Sequence, residues 1–304
     1  MDRAPAYPCQ DGGLFAADEM RWGDGSVRSP FSTSPEFRKL LTKEAPADLM
    51  RIALEIAQDA YPELEPELYL ARIEALATRI RDRCPAGAKP RGVLGQINWV
   101  LFVEEGYRGN QDDYYDPRNS YLNEVVDRKL GIPISLSVLY WTLAERLGLA
   151  MFGVNLPAHF LLRIGEREST LFVDPYHAGA ILDRRGCELR VSEIAGESLR
   201  LTDPQLAPCD QGVVVARMLR NLKAIYLRNH DFPTALPVLR RLAALRPADP
   251  EEQRDLGILC LQLDRPAEAI DPLQSYLNAA PGAEDHDQVH TLLGMAKREV
   301  ALWN

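Results

Sequence analysis

The chain is poor in cysteine, and its cysteines are not grouped. Cys9, Cys84, Cys187, Cys209 and Cys260 stand singly along 304 residues with no CxxC among them, so neither a zinc ribbon nor a disulfide framework is indicated. There is also no basic patch. Asp plus Glu outnumber Lys plus Arg by 44 to 35, for a formal net charge of −9, and basic residues cluster only in pairs such as Arg184–Arg185 and Arg240–Arg241. An acidic chain repels phosphate backbones, so nucleic acid is not expected as a partner. No apolar run approaches the ~20 residues that span a bilayer. The opening "MDRAPAYPCQDGGLFAADEM" has no apolar core of signal-peptide length, so no membrane partner and a cytoplasmic location are expected. Apolar content of 46% and charged content of 26% are those of an ordinary globular chain, and the length predicts two domains.

Residues 1–32 are rich in Gly, Pro, Asp and Ser and read as an extension. From Ser34 the spacing becomes helical. "SPEFRKLLTKE" offers Ser34 as N-cap and Pro35 at the first helical position. "ADLMRIALEIAQDAYPEL" and "EPELYLARIEALATRIRDRC" place aliphatic residues three and four apart, and "PRGVLGQINWVLFVEEGYRG" reads as one helix closed by Gly106. After a loop around Asp116–Pro117, Asn119 or Ser120 can cap a helix reaching Lys129. A further helix runs from Pro133 to Leu147, with Leu136, Leu139, Leu143 and Leu147 along one side.

Beyond Gly148 the period falls to two. "HFLLRI" and "LFVD" alternate as strands do, joined by the polar turn "GEREST". If Ile164 opposes Leu171, then Phe160, Leu162, Ile164, Leu171 and Val173 share one face. His159, Leu161, Arg163, Phe172 and Asp174 share the other. His159 and Asp174 then become diagonal neighbours within side-chain reach, and a slip of one residue would break the apolar face and part them.

From about residue 213 the chain is helical and repeats itself. At an offset of 34 residues Leu222 matches Leu256, Ile225 matches Leu259, Ala235 matches Ala269, Leu236 matches Ile270, Leu239 matches Leu273 and Pro247 matches Pro281. That period predicts tetratricopeptide-like helix pairs. Two clear repeats plus a final helix fall short of the usual free-standing array, so the tail is expected to lean on the first domain.

His159 with Asp174 is the leading candidate site: a carboxylate fixes an imidazole's tautomer and stabilises its protonated form. The bland reading is a strand histidine and a turn aspartate before Pro175. Ser135 and Ser137 lie in the first turns of a helix, where free N–H groups favour an oxyanion, and capping or small-residue packing would use them equally well. "YYDPRNSYLNEV" gathers polar side chains that would either line a pocket, through Asn119 and Asn123, or fasten a loop. Arg163, Tyr176 and His177 complete the expected cleft lining. A metal site of His159, Asp174 and His177 has no recognised spacing, and neither a metal nor a cofactor is assigned.

"YYDPRNSYLNEVVDRKLGIPISLSVLYWTLAERLGL", "GVNLPAHFLLRI" and "FVDPYHAGAIL" together resemble the SirB-type family, which is transglutaminase-like with a tetratricopeptide tail. The resemblance covers nearly everything from Ala47 onward. It implies an α+β, mainly helical fold. A papain-like transglutaminase core with a small antiparallel sheet would span residues 33–212, and an all-α repeat tail would span 213–304. By that resemblance His159 and Asp174 match the superfamily's His and acidic member. The nucleophile slot falls between Pro133 and Ser135, where this chain has no cysteine. Two functions follow as expectations: a peptide- or protein-binding adaptor that has lost the catalytic Cys, or an amide hydrolase or acyltransferase using Ser135 or Ser137 with His159 and Asp174.

Overall fold

The computed structural model describes residues 31–43, 46–165 and 170–302. The expected N-terminal extension falls almost wholly outside the described residues, as does the tip of the polar turn.

Helix α1 (Pro35–Thr42) begins at its proline, but Ser34 does not cap it. Its hydroxyl instead accepts a hydrogen bond from Arg241, 3.0 Å away. Helix α2 (Leu49–Gln58) is capped by Asp48, whose carboxylate accepts the N–H groups of Met50 and Arg51 at 2.9 and 3.1 Å. Helices α3 (Pro66–Arg83) and α4 (Pro90–Asn98) follow, each with a proline in its first turn. The single helix expected over 90–105 changes character: Trp99–Glu104 is a π-helical turn that closes at Gly106 with φ 75°. Widening of this kind leaves Trp99 and Val103 exposed and marks an inserted residue within a helix.

The next helix starts later than expected. Asn119 ends a 3₁₀ turn (Pro117–Asn119), and α5 (Leu122–Arg128) begins after Tyr121. The reason is that Asn119 is already committed to the loop. Its Nδ2 donates to the carbonyls of Asp113 and Tyr114 at 2.7 and 3.3 Å, and its Oδ1 accepts from Asn110 at 3.0 Å. Asn119 and Asn123 therefore do not share a helix face. Strand β1 (Arg108–Gly109) pairs in parallel with β2 (Leu130–Gly131), and α6 (Pro133–Arg146) leads into the main sheet.

That sheet has four antiparallel strands in sequential order: β3 (Met151–Leu156), β4 (His159–Ile164), β5 (Leu171–Asp174) and β6 (Ala180–Leu182). Ile164 opposes Leu171 and Leu162 opposes Val173, the register that the apolar alternation predicts. Phe160, Leu162, Ile164 and Val173 join the main core with α6, whereas Leu161 and Phe172 join Val154, Leu156, Cys187, Val191, Leu201 and Leu206 in a second core. The second core is covered by α7 (Arg184–Ala195) and the segment that follows. The sheet is thus a middle layer with helices on both faces, which is why β4 is buried almost throughout.

Helices α8 (Gln211–Arg228), α9 (Phe232–Leu245), α10 (Pro250–Gln262), α11 (Pro266–Ala279) and α12 (His286–Leu302) form the repeat tail. It packs on the first part of the chain through one continuous apolar core that runs from Phe31 to Ala296. The polar rivet of this junction is Arg241 on α9, 3% exposed. It holds Asp59 through two bonds of 2.6 and 2.8 Å, donates to the Glu55 carbonyl at 3.1 Å, and lies over the rings of Phe31 and Phe37. Arg241→Ala leaves Asp59 without its cation in a largely buried place. A loss of about 3 kcal/mol is expected in urea unfolding, with faster proteolysis across 222–294.

Candidate functional site

The site forms where β4 begins and β5 ends. Asp174 is the last residue of β5 and is fully buried, and His159 is the first of β4 and 1% exposed. By strand alternation both point to the face that α7 covers. His159 Nε2 lies 3.1 Å from Asp174 Oδ2, a charge contact whose alignment falls short of a hydrogen bond. Two further groups converge on the same oxygen. His177 Nδ1 is 2.7 Å away in a hydrogen bond, and Arg190 Nε, from α7, is 3.2 Å away. Oδ1 of the same carboxylate has no partner.

Burial by itself would push the Asp174 carboxyl up. The two imidazoles beside it, His159 and His177, outweigh it and hold the group well below the usual carboxylate range. With the carboxylate ionised, His177 Nδ1 must be the donor, which leaves Nε2 on a side chain that is 28% exposed. His177 is therefore the solvent-facing imidazole of the two, and His159 is buried. Tyr176 completes an aromatic cover, with ring centres 6.2 Å from His159 and 5.1 Å from His177.

Local backbone fixes these side chains. Pro175–His177 is a 3₁₀ turn that leaves through Ala178 and Gly179, at φ 54° and 71°. Gly179 N–H donates to the Asp174 carbonyl at 2.9 Å. A Cβ on Gly179 would stand 1.9 Å from Asn98 Oδ1, because Asn98 donates to the Gly179 carbonyl at 2.9 Å and is itself held by Tyr140 of α6 at 2.8 Å. On the other side, Tyr176 lies flat against Gly109, where a Cβ would come within 2.4 Å of its ring.

The remaining expected residues go to other places. Ser135 is buried and its hydroxyl is spent on structure: it donates to the Asn119 carbonyl at 2.6 Å and accepts from the Ile132 N–H at 3.0 Å. Ser137 is buried with no hydrogen-bond partner for Oγ. Asn119 fastens the 110–119 loop, and Asn123 is buried with Oδ1 unpartnered. Arg163 sits further along β4, donating to the Leu206 carbonyl and Thr170 Oγ1 at 3.2 and 3.3 Å. There it lines a separate cavity of ≈ 500 Å³ with Phe172, Asp183, Arg184 and Asp203. Sequence reasoning missed Arg190, although Asp183 followed by Gly186 and the Cys187–Val191 spacing carry the signal of a capped amphipathic helix.

The profile of the transglutaminase-like superfamily matches residues 67–220, and a tetratricopeptide-repeat profile matches 222–294. The chain belongs to the transglutaminase-like superfamily. A UPF0162 protein of Xylella fastidiosa is 36% identical over 244 residues, covering 79% of this chain and 87% of that protein. A UPF0162 protein of Vibrio cholerae is 30% identical over 183 residues, 60% and 67% of the two chains. Mouse F-box only protein 21 is 39% identical over 109 residues, which is 33% of this chain and 17% of that much longer one. The two matches divide the chain as the structure does, into a mainly helical part with small sheets followed by repeat helices. No helix among the described residues is long and apolar enough to cross a membrane.

Asp174 links stability to pH with a definite sign. Its folded pKa lies below its unfolded value, so its contribution is complete above about pH 4 and is lost as pH falls from there toward the folded value. Asp174→Asn strands His159, His177 and Arg190 and is expected to cost about 3–5 kcal/mol at pH 7. In urea titrations the gap between wild type and variant should narrow steadily below about pH 4.

Proposed function

We propose that this chain is a non-catalytic binding protein built on a transglutaminase-like fold, a SirB-type adaptor. Its His–Asp cleft receives a peptide segment or side-chain amide, and its repeats dock a protein partner. The domain division that goes with this reading is an extension over 1–32, the cleft-bearing domain over 33–212 and the repeats over 213–304, in a cytoplasmic protein. Repeat helices of this kind stack into extended surfaces used for protein binding.

The observation that carries the reading is the state of Ser135. A hydroxyl that donates to a buried carbonyl at 2.6 Å and accepts a capping N–H at 3.0 Å has no free proton to hand to a base. Among the described residues, the thiols of Cys187 and Cys209 offer no substitute. Burial and the charges of Asp183 and Asp174 push Cys187 up to about 12, and burial pushes Cys209 up to about 11. At those values the thiolate, which is the nucleophilic form, is absent at neutral pH. The competing reading, an amide hydrolase or acyltransferase, needs Ser135 or Ser137 Oγ at roughly 2.6–3.2 Å from a base. Ser137 Oγ has no hydrogen-bond partner at all.

Treatment of the intact chain with serine- and cysteine-directed acylating probes tests the choice. The adaptor reading expects no covalent label that depends on His159. A label on Ser135 or Ser137 that disappears in His159→Ala would overturn it.

A further inference from the structure

The geometry points to a divalent transition-metal site formed by His159, Asp174 and His177. One ligand atom from each residue lies within 4.8 Å of the other two, and the pairs measured against Asp174 Oδ2 are 3.1 Å for His159 Nε2 and 2.7 Å for His177 Nδ1. Around an ion with bonds of about 2.0–2.2 Å, neighbouring ligand atoms stand about 2.8–3.1 Å apart in octahedral and about 3.3–3.6 Å apart in tetrahedral geometry. The two pairs that share Asp174 Oδ2 are thus already near octahedral spacing.

A second observation is independent of spacing. His159 Nε2 and Asp174 Oδ1 belong to fully buried side chains, and neither has a hydrogen-bond partner. Buried polar atoms are rarely left in this state, because each costs its full desolvation. An ion at this point would satisfy His159 Nε2, and a carboxylate bound to it through both oxygens would satisfy Oδ1 as well. His159 would bind through Nε2 as its Nδ1–H tautomer, and His177 through Nδ1 as its Nε2–H tautomer. Two imidazoles and one carboxylate suit borderline first-row ions such as Zn²⁺, Co²⁺ or Fe²⁺, with remaining positions open on the partly exposed His177 side. Arg190 places a positive charge 3.2 Å from Oδ2, but it shares that charge with Glu193 at 3.1 Å. In the loaded site it would hold the ligating carboxylate from outside, as outer-shell partners do. The proposal is independent of the adaptor reading, since either use of the cleft is compatible with a bound ion.

The test uses the full chain stripped with EDTA and titrated with Co²⁺, then with Zn²⁺ in competition. One equivalent is expected, with a cobalt spectrum free of thiolate charge transfer. His159→Ala and His177→Ala should each weaken binding about 100-fold or more, beyond the 10–100-fold typical of losing an outer-shell partner. His286→Ala, a histidine outside the cluster, should bind as wild type does. Zn²⁺ should raise the melting temperature of wild type but not of His177→Ala. If His159→Ala does not fold, the partly exposed His177 carries the test, its metal-free circular dichroism establishing that it folds. Failure of the wild type to bind, a thiolate band, or unchanged affinity in His177→Ala would overturn the site.

Discussion

A carboxylate taken fully out of water must be matched by donors and cations, or it will not ionise. Asp174 meets that demand by drawing one group from each of three neighbouring parts of the chain. His159 comes from the adjacent strand, His177 from the turn that follows, and Arg190 from the helix laid over the sheet. The end of β5, the start of β4, the turn leaving the sheet and the packing of α7 are therefore one cooperative unit. Moving any of them leaves charge stranded in a place that water cannot reach.

The same unit explains why the turn after β5 is so closely braced. Gly179 must be a glycine because Asn98 is packed where a side chain would be, and Asn98 is there because it joins α4 to α6 through Tyr140. Gly109 must be small because the ring of Tyr176 lies against it. The site is thus held by parts of the chain some 80 residues apart in sequence, and the half-buried His177 is its only histidine in contact with solvent. Elsewhere Arg241 does for the repeats what Asp174 does for the sheet, using one buried charge to join two parts of the chain that share an apolar core.

Much of this was legible in advance because it rests on short-range regularities. Ile164 opposite Leu171 agrees with period-two alternation, since a slip of one residue would turn Phe160, Leu162 and Val173 out of the core. The 34-residue offset that aligns Leu222 with Leu256 follows from one helix pair needing the next to cover its apolar side. β3 and β6 were not legible. Met151–Leu156 places its glycine and asparagine where Phe160 and Arg217 reach it, and three residues of β6 are too few to show a period. The π turn at Trp99–Glu104 was equally hidden, because its apolar spacing passes for that of an α-helix.

By itself the sequence determined the run of helices ahead of the sheet, the repeat tail, the strand register and hence the nearness of His159 to Asp174. Each is a consequence of where apolar side chains recur along the chain. Only the tertiary structure decided which groups share the carboxylate, because Arg190 reaches it through the packing of α7, which no periodicity encodes, and the turn that brings His177 to it is held by contacts from distant parts of the chain. It also decided the fate of Ser135, whose hydroxyl looks available from its place at a helix start. The Asn119 carbonyl, 16 residues earlier in the chain, claims it, and a hydrogen bond from a helix start to a distant 3₁₀ turn leaves no mark on local sequence pattern.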